Sequence, residues 1–136
     1  MKPIHLTFIA LLLAFACADH NQRFEFNGTH TGSFYRTRDN VRVIEADVSL
    51  SFEDGKFSGV NKEGNNEPAI CRGTYTLSGR EIYFGNECMF TANFDWTLIL
   101  AGKFTVTETD DTIILAKEID ARNGDYYVLN KRADSR

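Results

Sequence analysis

Three histidines and three cysteines carry most of the nucleophilic and metal-ligating capacity of this 136-residue chain. His5 lies in an apolar leader and His20 in the polar stretch after it, which leaves His30 as the one histidine inside a region of strand-like pattern. A Ser-His-Asp arrangement would have to be built on His30, and no serine sits in Gly-x-Ser-x-Gly. The His-Glu-x-x-His and paired Cys-x-x-Cys spacings of metal sites are missing, as is a glycine-rich phosphate loop ahead of a helix. Glu108, Asp110 and Asp111 cluster without the glycine-containing loop a calcium site needs, so a solvated turn is the plainer reading. Hydrolysis by paired carboxylates has no positive support. No catalytic residue, metal or cofactor is assigned, and a non-enzymatic role is expected.

Cys17 has a different chemistry. Met1 to His5 carry one cation, Lys2, and Leu6 to Ala16 then run without charge. At about eleven residues this run is too short to span a bilayer core of ~30 Å, so it reads as a cleavable signal. Ala14-Phe15-Ala16-Cys17 resembles the lipobox of bacterial lipoproteins, with Ala14 where leucine is usual. The resemblance implies acylation of Cys17 and a membrane anchor. Ala18 carries no charge, which by the same resemblance points to the outer membrane or cell surface. Ala16-Cys17-Ala18 is also an A-x-A site, and cleavage before Asp19 would give a secreted or periplasmic protein instead. The expected organisation is a signal over 1–16, a lipidated cysteine and tether over 17–23, a β-barrel domain over 24–132 and a polar tail over 133–136.

Either cleavage leaves Cys71 and Cys88, an even count that suits an oxidising compartment. Gly79-Arg80 between them suits a two-residue type II′ turn. If those two residues form the loop, Leu77 faces Ile82, Tyr75 faces Phe84 and Cys71 faces Cys88. The cysteines then fall in a non-hydrogen-bonded pair with Cα atoms about 4.5 Å apart, within reach of a disulfide.

Period-two alternation recurs through the rest of the chain, with turns between, and helical periodicity is not found. Ile44, Ala46, Val48, Leu50 and Phe52 alternate with mainly polar neighbours up to Asp54-Gly55, a type I′ hairpin signal. Phe94, Trp96, Leu98 and Leu100 continue through Gly102 to Val106 as one long strand face, and Asn123-Gly124 predicts the last turn. A first strand from Phe24 to about Arg36 puts His30 on its apolar face. Residues 62–68 are a loop. About eight strands joined by short turns predict an all-β, antiparallel up-and-down barrel, with a two-sheet sandwich as the alternative.

Phe26-Asn27-Gly28-Thr29-His30-Thr31-Gly32, followed by Val48 to Phe57 through Asp54-Gly55, resembles the opening of small lipocalin-like, or calycin, barrels of bacterial envelope lipoproteins. Trp96 to Phe104 and Tyr126-Tyr127-Val128-Leu129 are similar to the last strands of that group. The Gly-x-Trp of true lipocalins and the Cys-x-x-Cys of copper-associated lipoprotein barrels are absent, so no ligand chemistry carries over.

Two function classes follow. One is an envelope binding module for a small apolar ligand, lined by Tyr75, Phe84, Trp96 and Tyr127, with His30 as an inward polar group. Core packing explains the aromatics equally well, and a partly exposed strand position is the plainer reading of His30. The other class is a protein-interaction or inhibitor barrel acting on an envelope protein through loops, with 62–68 as the candidate surface. Without Lys2 the charge is 14 basic against 19 acidic residues, interspersed except for Lys131, Arg132 and Arg136, which gives no footprint for nucleic acid. Asn27-Gly28-Thr29 is a glycosylation sequon only in a eukaryotic host.

Overall fold

Apolar alternation drives eight stretches of the chain into strands, and tight turns fold each one back on its neighbour. The computed structural model describes residues 24–131. The expected signal, Cys17 and the tether lie outside the described residues, as do Arg132 at the end of the expected barrel domain and the polar tail over 133–136. The strands are β1 (Gly28–Arg38), β2 (Val41–Glu53), β3 (Lys56–Asn61), β4 (Arg72–Ser78), β5 (Glu81–Asn86), β6 (Gly102–Glu108), β7 (Thr112–Asp120) and β8 (Asn123–Asn130). Each pairs antiparallel with the next, and β1 also pairs with β8. The sheet is therefore a closed eight-stranded up-and-down barrel, and the sandwich alternative falls away.

Turn chemistry places most of the corners. Asp54 and Gly55 both take positive φ, 46° and 75°, as a type I′ turn requires. Asp39 and Asn40 do the same between β1 and β2. In the β4–β5 hairpin Leu77 faces Ile82 and Tyr75 faces Phe84, the register counted from Gly79-Arg80. Cys71 and Cys88 form the expected disulfide, but outside the ladder. The last bond of the hairpin runs from the Glu87 amide to the Arg72 carbonyl, and beyond it the chains splay, so the Cα atoms stand 6.3 Å apart rather than 4.5 Å. Here β4 and β5 approach so closely that a Cβ at Gly73 would collide with the Gly85 carbonyl oxygen.

Three expectations need correction. Residues 94–106 are not one strand: β6 starts at Gly102, and a short 3₁₀ turn, η1 (Trp96–Leu98), takes up part of the preceding segment. Asp95 accepts from the Thr97 amide at 2.9 Å and from its hydroxyl at 2.6 Å, and this local cap outcompetes strand pairing. The last turn is at Ala121-Arg122, two residues before the expected Asn123-Gly124, because the Asp120 carboxylate accepts from the Arg122 and Asn123 amides. The first strand starts at Gly28, and Phe24 and Phe26 instead lie buried across the barrel end. There the Tyr75 hydroxyl donates to the Phe26 carbonyl at 3.2 Å.

The interior is packed by side chains. Phe34 meets Tyr127 at 4.9 Å between ring centres, Tyr127 meets Phe104 at 5.8 Å, and Phe104 meets Phe84 at 5.6 Å. Phe84 then reaches Phe52 at 6.3 Å, and Phe52 touches Phe26 at 4.8 Å. This chain of rings runs from one end of the barrel to the other, with Val48, Leu50, Val106 and Leu115 filling the space around it. Each such buried side chain stabilises the fold by roughly 1.5–3 kcal/mol.

Candidate functional site

Strand order gives the barrel two unlike ends. One carries the short turns at 54–55, 79–80 and 109–111, together with the Phe24–Phe26 plug. The other carries the 39–40 and 121–122 turns and both long connections, 62–71 and 87–101. The long connections are sewn to each other. The Ala69 amide donates to the Leu98 carbonyl and the Leu100 amide to the Ala69 carbonyl, each at 3.0 Å, and the Cys71–Cys88 disulfide ties their bases. Ala69, Leu98, Ile99 and Leu100 are buried, so the two loops close this end of the barrel.

An arginine inside the barrel clamps this cap. Arg36 follows His30, Gly32 and Phe34 in the inward-facing set of β1, and the register places it opposite Asp125 of β8. Its Nε and Nη2 donate to the two Asp125 oxygens at 2.6 and 2.7 Å, with side-chain exposures of only 4% and 7%. The remaining donors reach the cap: Nη1 to the Thr97 hydroxyl at 2.9 Å and Nη2 to the Thr97 carbonyl at 2.7 Å, with Asp95 3.5 Å from Nη1. Burial alone would lower the Arg36 pKa, but the hydrogen bond and charge of Asp125 outweigh it and the pKa is raised. Hydrogen bonds from the Thr97 hydroxyl and then its amide hold the Asp95 carboxyl below its ordinary value. Pairing every donor in this way is what makes two buried charges tolerable.

The cap presents apolar side chains to solvent. Met89 is 97% exposed and Trp96 57%, while Phe90 and Phe94 stack at 5.2 Å between them in sequence. Their loop is held at Cys88 by the disulfide and at Thr97 by Arg36, so it offers exposed apolar groups on a fixed frame. A separate open groove of about 600 Å³ lies along β2, β3 and β4, where Ser51, Glu53, Lys56, Ser58, Arg72 and Glu87 give it mixed charge.

The residues expected to line a ligand site are divided between the interior and the outside of the cap. Phe84 and Tyr127 belong to the packed ring chain, and Tyr75 is half-buried against Phe52 at 5.3 Å. Burial, and then the Asp125 charge, drive the Tyr127 hydroxyl pKa far above its ordinary value. Trp96 stands apart on the outside of the cap. His30 is buried rather than partly exposed: its ring contacts Phe52 at 6.0 Å between ring centres, Nδ1 is 3.1 Å from the Asn130 carbonyl, and Nε2 has no partner among the described residues. With a carbonyl as its partner, Nδ1 must carry the proton. Sequence reasoning missed Arg36 and Asp125. The available signal was an arginine and an aspartate that both continue inward-facing periods, Arg36 after Phe34 and Asp125 before Tyr127.

Among the described residues no group of three His, Cys, Asp or Glu side chains is placed to hold a metal ion. Comparison with protein-family models, with curated proteins and with solved structures gives no match. The class this chain belongs to is defined by its geometry: a disulfide-bonded, closed antiparallel β-barrel with a clamped two-loop cap.

Proposed function

We propose that this protein is an exported, non-enzymatic interaction module that binds an envelope protein through the capped end of its barrel. The observation that carries this reading is the division of apolar surface. The ring chain from Phe34 to Phe26 occupies the interior, while Met89 and Trp96 are held outward on a clamped loop. A small apolar ligand entering the barrel would have to displace packed rings, whereas a protein partner would meet methionine and tryptophan already fixed in place. The groups on offer are therefore those of the 87–101 loop more than the 62–68 loop.

Export is supported by the disulfide, which persists in oxidising compartments, and by the leader pattern. Phe24 enters at the end opposite the cap, so an anchor on Cys17 would leave the cap pointing away from the membrane. Metabolic fatty-acid labelling of wild type and Cys17→Ser tests that part, and equal labelling of both would defeat it.

The interaction is tested by cross-linking from intact envelopes with wild type and Met89→Ser/Trp96→Ser. The expected result is a discrete partner band lost in the double variant, whose thermal unfolding matches wild type. Saturable one-to-one uptake of a fatty acid by the purified protein, retained in the double variant, would return the function to the barrel interior.

A further inference from the structure

Closure of the barrel does not pair every strand along its whole length. β2 meets β3 only from Val48 to Glu53, so among the described residues 41–46 find strand partners on the β1 side alone, with Val43 passed over at a bulge. At Asp47 the opposite side is still occupied: the Lys62 amide donates to the Asp47 carbonyl at 2.9 Å, and Glu63 accepts from the Asp47 amide at 3.1 Å. Backbone groups alternate sides along a strand, so Glu45, two residues before Asp47, turns its N–H and C=O the same way. Among the described residues neither group has a partner. Val41 closes the two-residue turn against Arg38, so Arg42 turns outward as well.

A bulge makes this edge self-complementary. The register shifts between Arg36 and Thr37, leaving Val43 without an opposite residue. Arg42 and Glu45, three residues apart, thereby come to the same edge and the same outer face. Arg42 Nη1 lies 3.3 Å from Glu45 Oε1, and its guanidinium sits 4.2 Å over the outward-facing Tyr35 ring. Val41 and Val43 beside them are 61% and 53% exposed.

We infer that the 41–46 edge pairs with the same edge of a second copy, antiparallel about a two-fold axis. Arg42 then stands opposite the partner's Glu45, and Glu45 opposite the partner's Arg42, with backbone bonds exchanged at both positions. The two valines lose exposure to water in the same contact. A foreign strand would satisfy the backbone, but the reciprocal charges single out a second copy. An edge of this length is small beside a permanent interface, so dissociation falls in the range of roughly micromolar to millimolar. Antiparallel pairing points the two Phe24 ends apart, which makes this an assembly of copies not anchored to one membrane.

Sedimentation velocity tests this on the full exported chain carrying Cys17→Ser, so that no acyl group adds its own association. Wild type is expected to show a reversible monomer–dimer equilibrium between about 1 µM and 1 mM. Arg42→Glu and Glu45→Arg, each measured alone, should weaken the dimer at least about tenfold through like-charge opposition. An equimolar mixture of the two variants should dimerise again, because each offers the charge the other lacks while both in-chain pairs stay broken. A wild type that stays monomeric, variants that dimerise unchanged, a mixture that fails to assemble, or open-ended polymers would each overturn the inference.

Discussion

Replacing Arg36 with methionine tests the cap most directly. The variant loses two charge-assisted bonds to Asp125, at 2.6 and 2.7 Å, and two bonds to Thr97, at 2.9 and 2.7 Å. It also leaves the Asp125 carboxylate buried without a counter-charge, the larger part of the cost. Breaking one side of such a pair costs about 3–5 kcal/mol, which for a domain of this size is a fall in Tm of roughly 15–25 °C. Arg36→Met/Asp125→Leu removes both charges and should recover much of the loss, giving a coupling of at least about 1.5 kcal/mol. Urea unfolding followed by far-UV circular dichroism gives the stabilities. Fluorescence of the single tryptophan, Trp96 on η1, reports release of the cap from the same samples. A cost under about 1 kcal/mol for Arg36→Met, or a double variant as unstable as the sum of the singles, would refute the clamp.

Other consequences are as specific. Cys71→Ala/Cys88→Ala opens a bridge across 17 residues and should cost about 3 kcal/mol in chemical denaturation; equal stability of wild type with and without reductant would contradict this. Phe84→Ala should cost about 3–5 kcal/mol, because its ring is fully enclosed by Phe52, Phe57 and Phe104. A loss near zero would mean that the interior gives way easily enough to admit a ligand. Asp95 has a folded pKa below its ordinary value, so its contribution is complete above about pH 4 and is lost as pH falls through the lowered value. The Tm gap between wild type and Asp95→Ala, small because the carboxylate is half exposed, should therefore narrow steadily as pH falls below about 4, and a gap that does not narrow with falling pH would count against the cap bond.

Much of the barrel was legible because it rests on short-range rules. The alternation in β2, the Asp54-Gly55 turn and the β4–β5 register each depend on a few neighbouring residues whose backbone preferences are strong. The same rules misread residues 94–101, whose spacing imitates a strand. There one local bond set, Asp95 to Thr97, outweighed the alternation.

From the sequence alone came the all-β class, the up-and-down barrel of about eight strands and the disulfide partners. The choice of that barrel over the sandwich alternative, the burial of His30 and the inward pairing of Arg36 with Asp125 were decided by the tertiary structure. Arg36 lies 89 residues from Asp125 and 61 from Thr97, and no local preference reports which inward position will face which across such distances. Only when β8 closes on β1 does an arginine in the middle of a strand become the clamp on a loop cap, and only then does part of β2 remain without a second strand partner among the described residues.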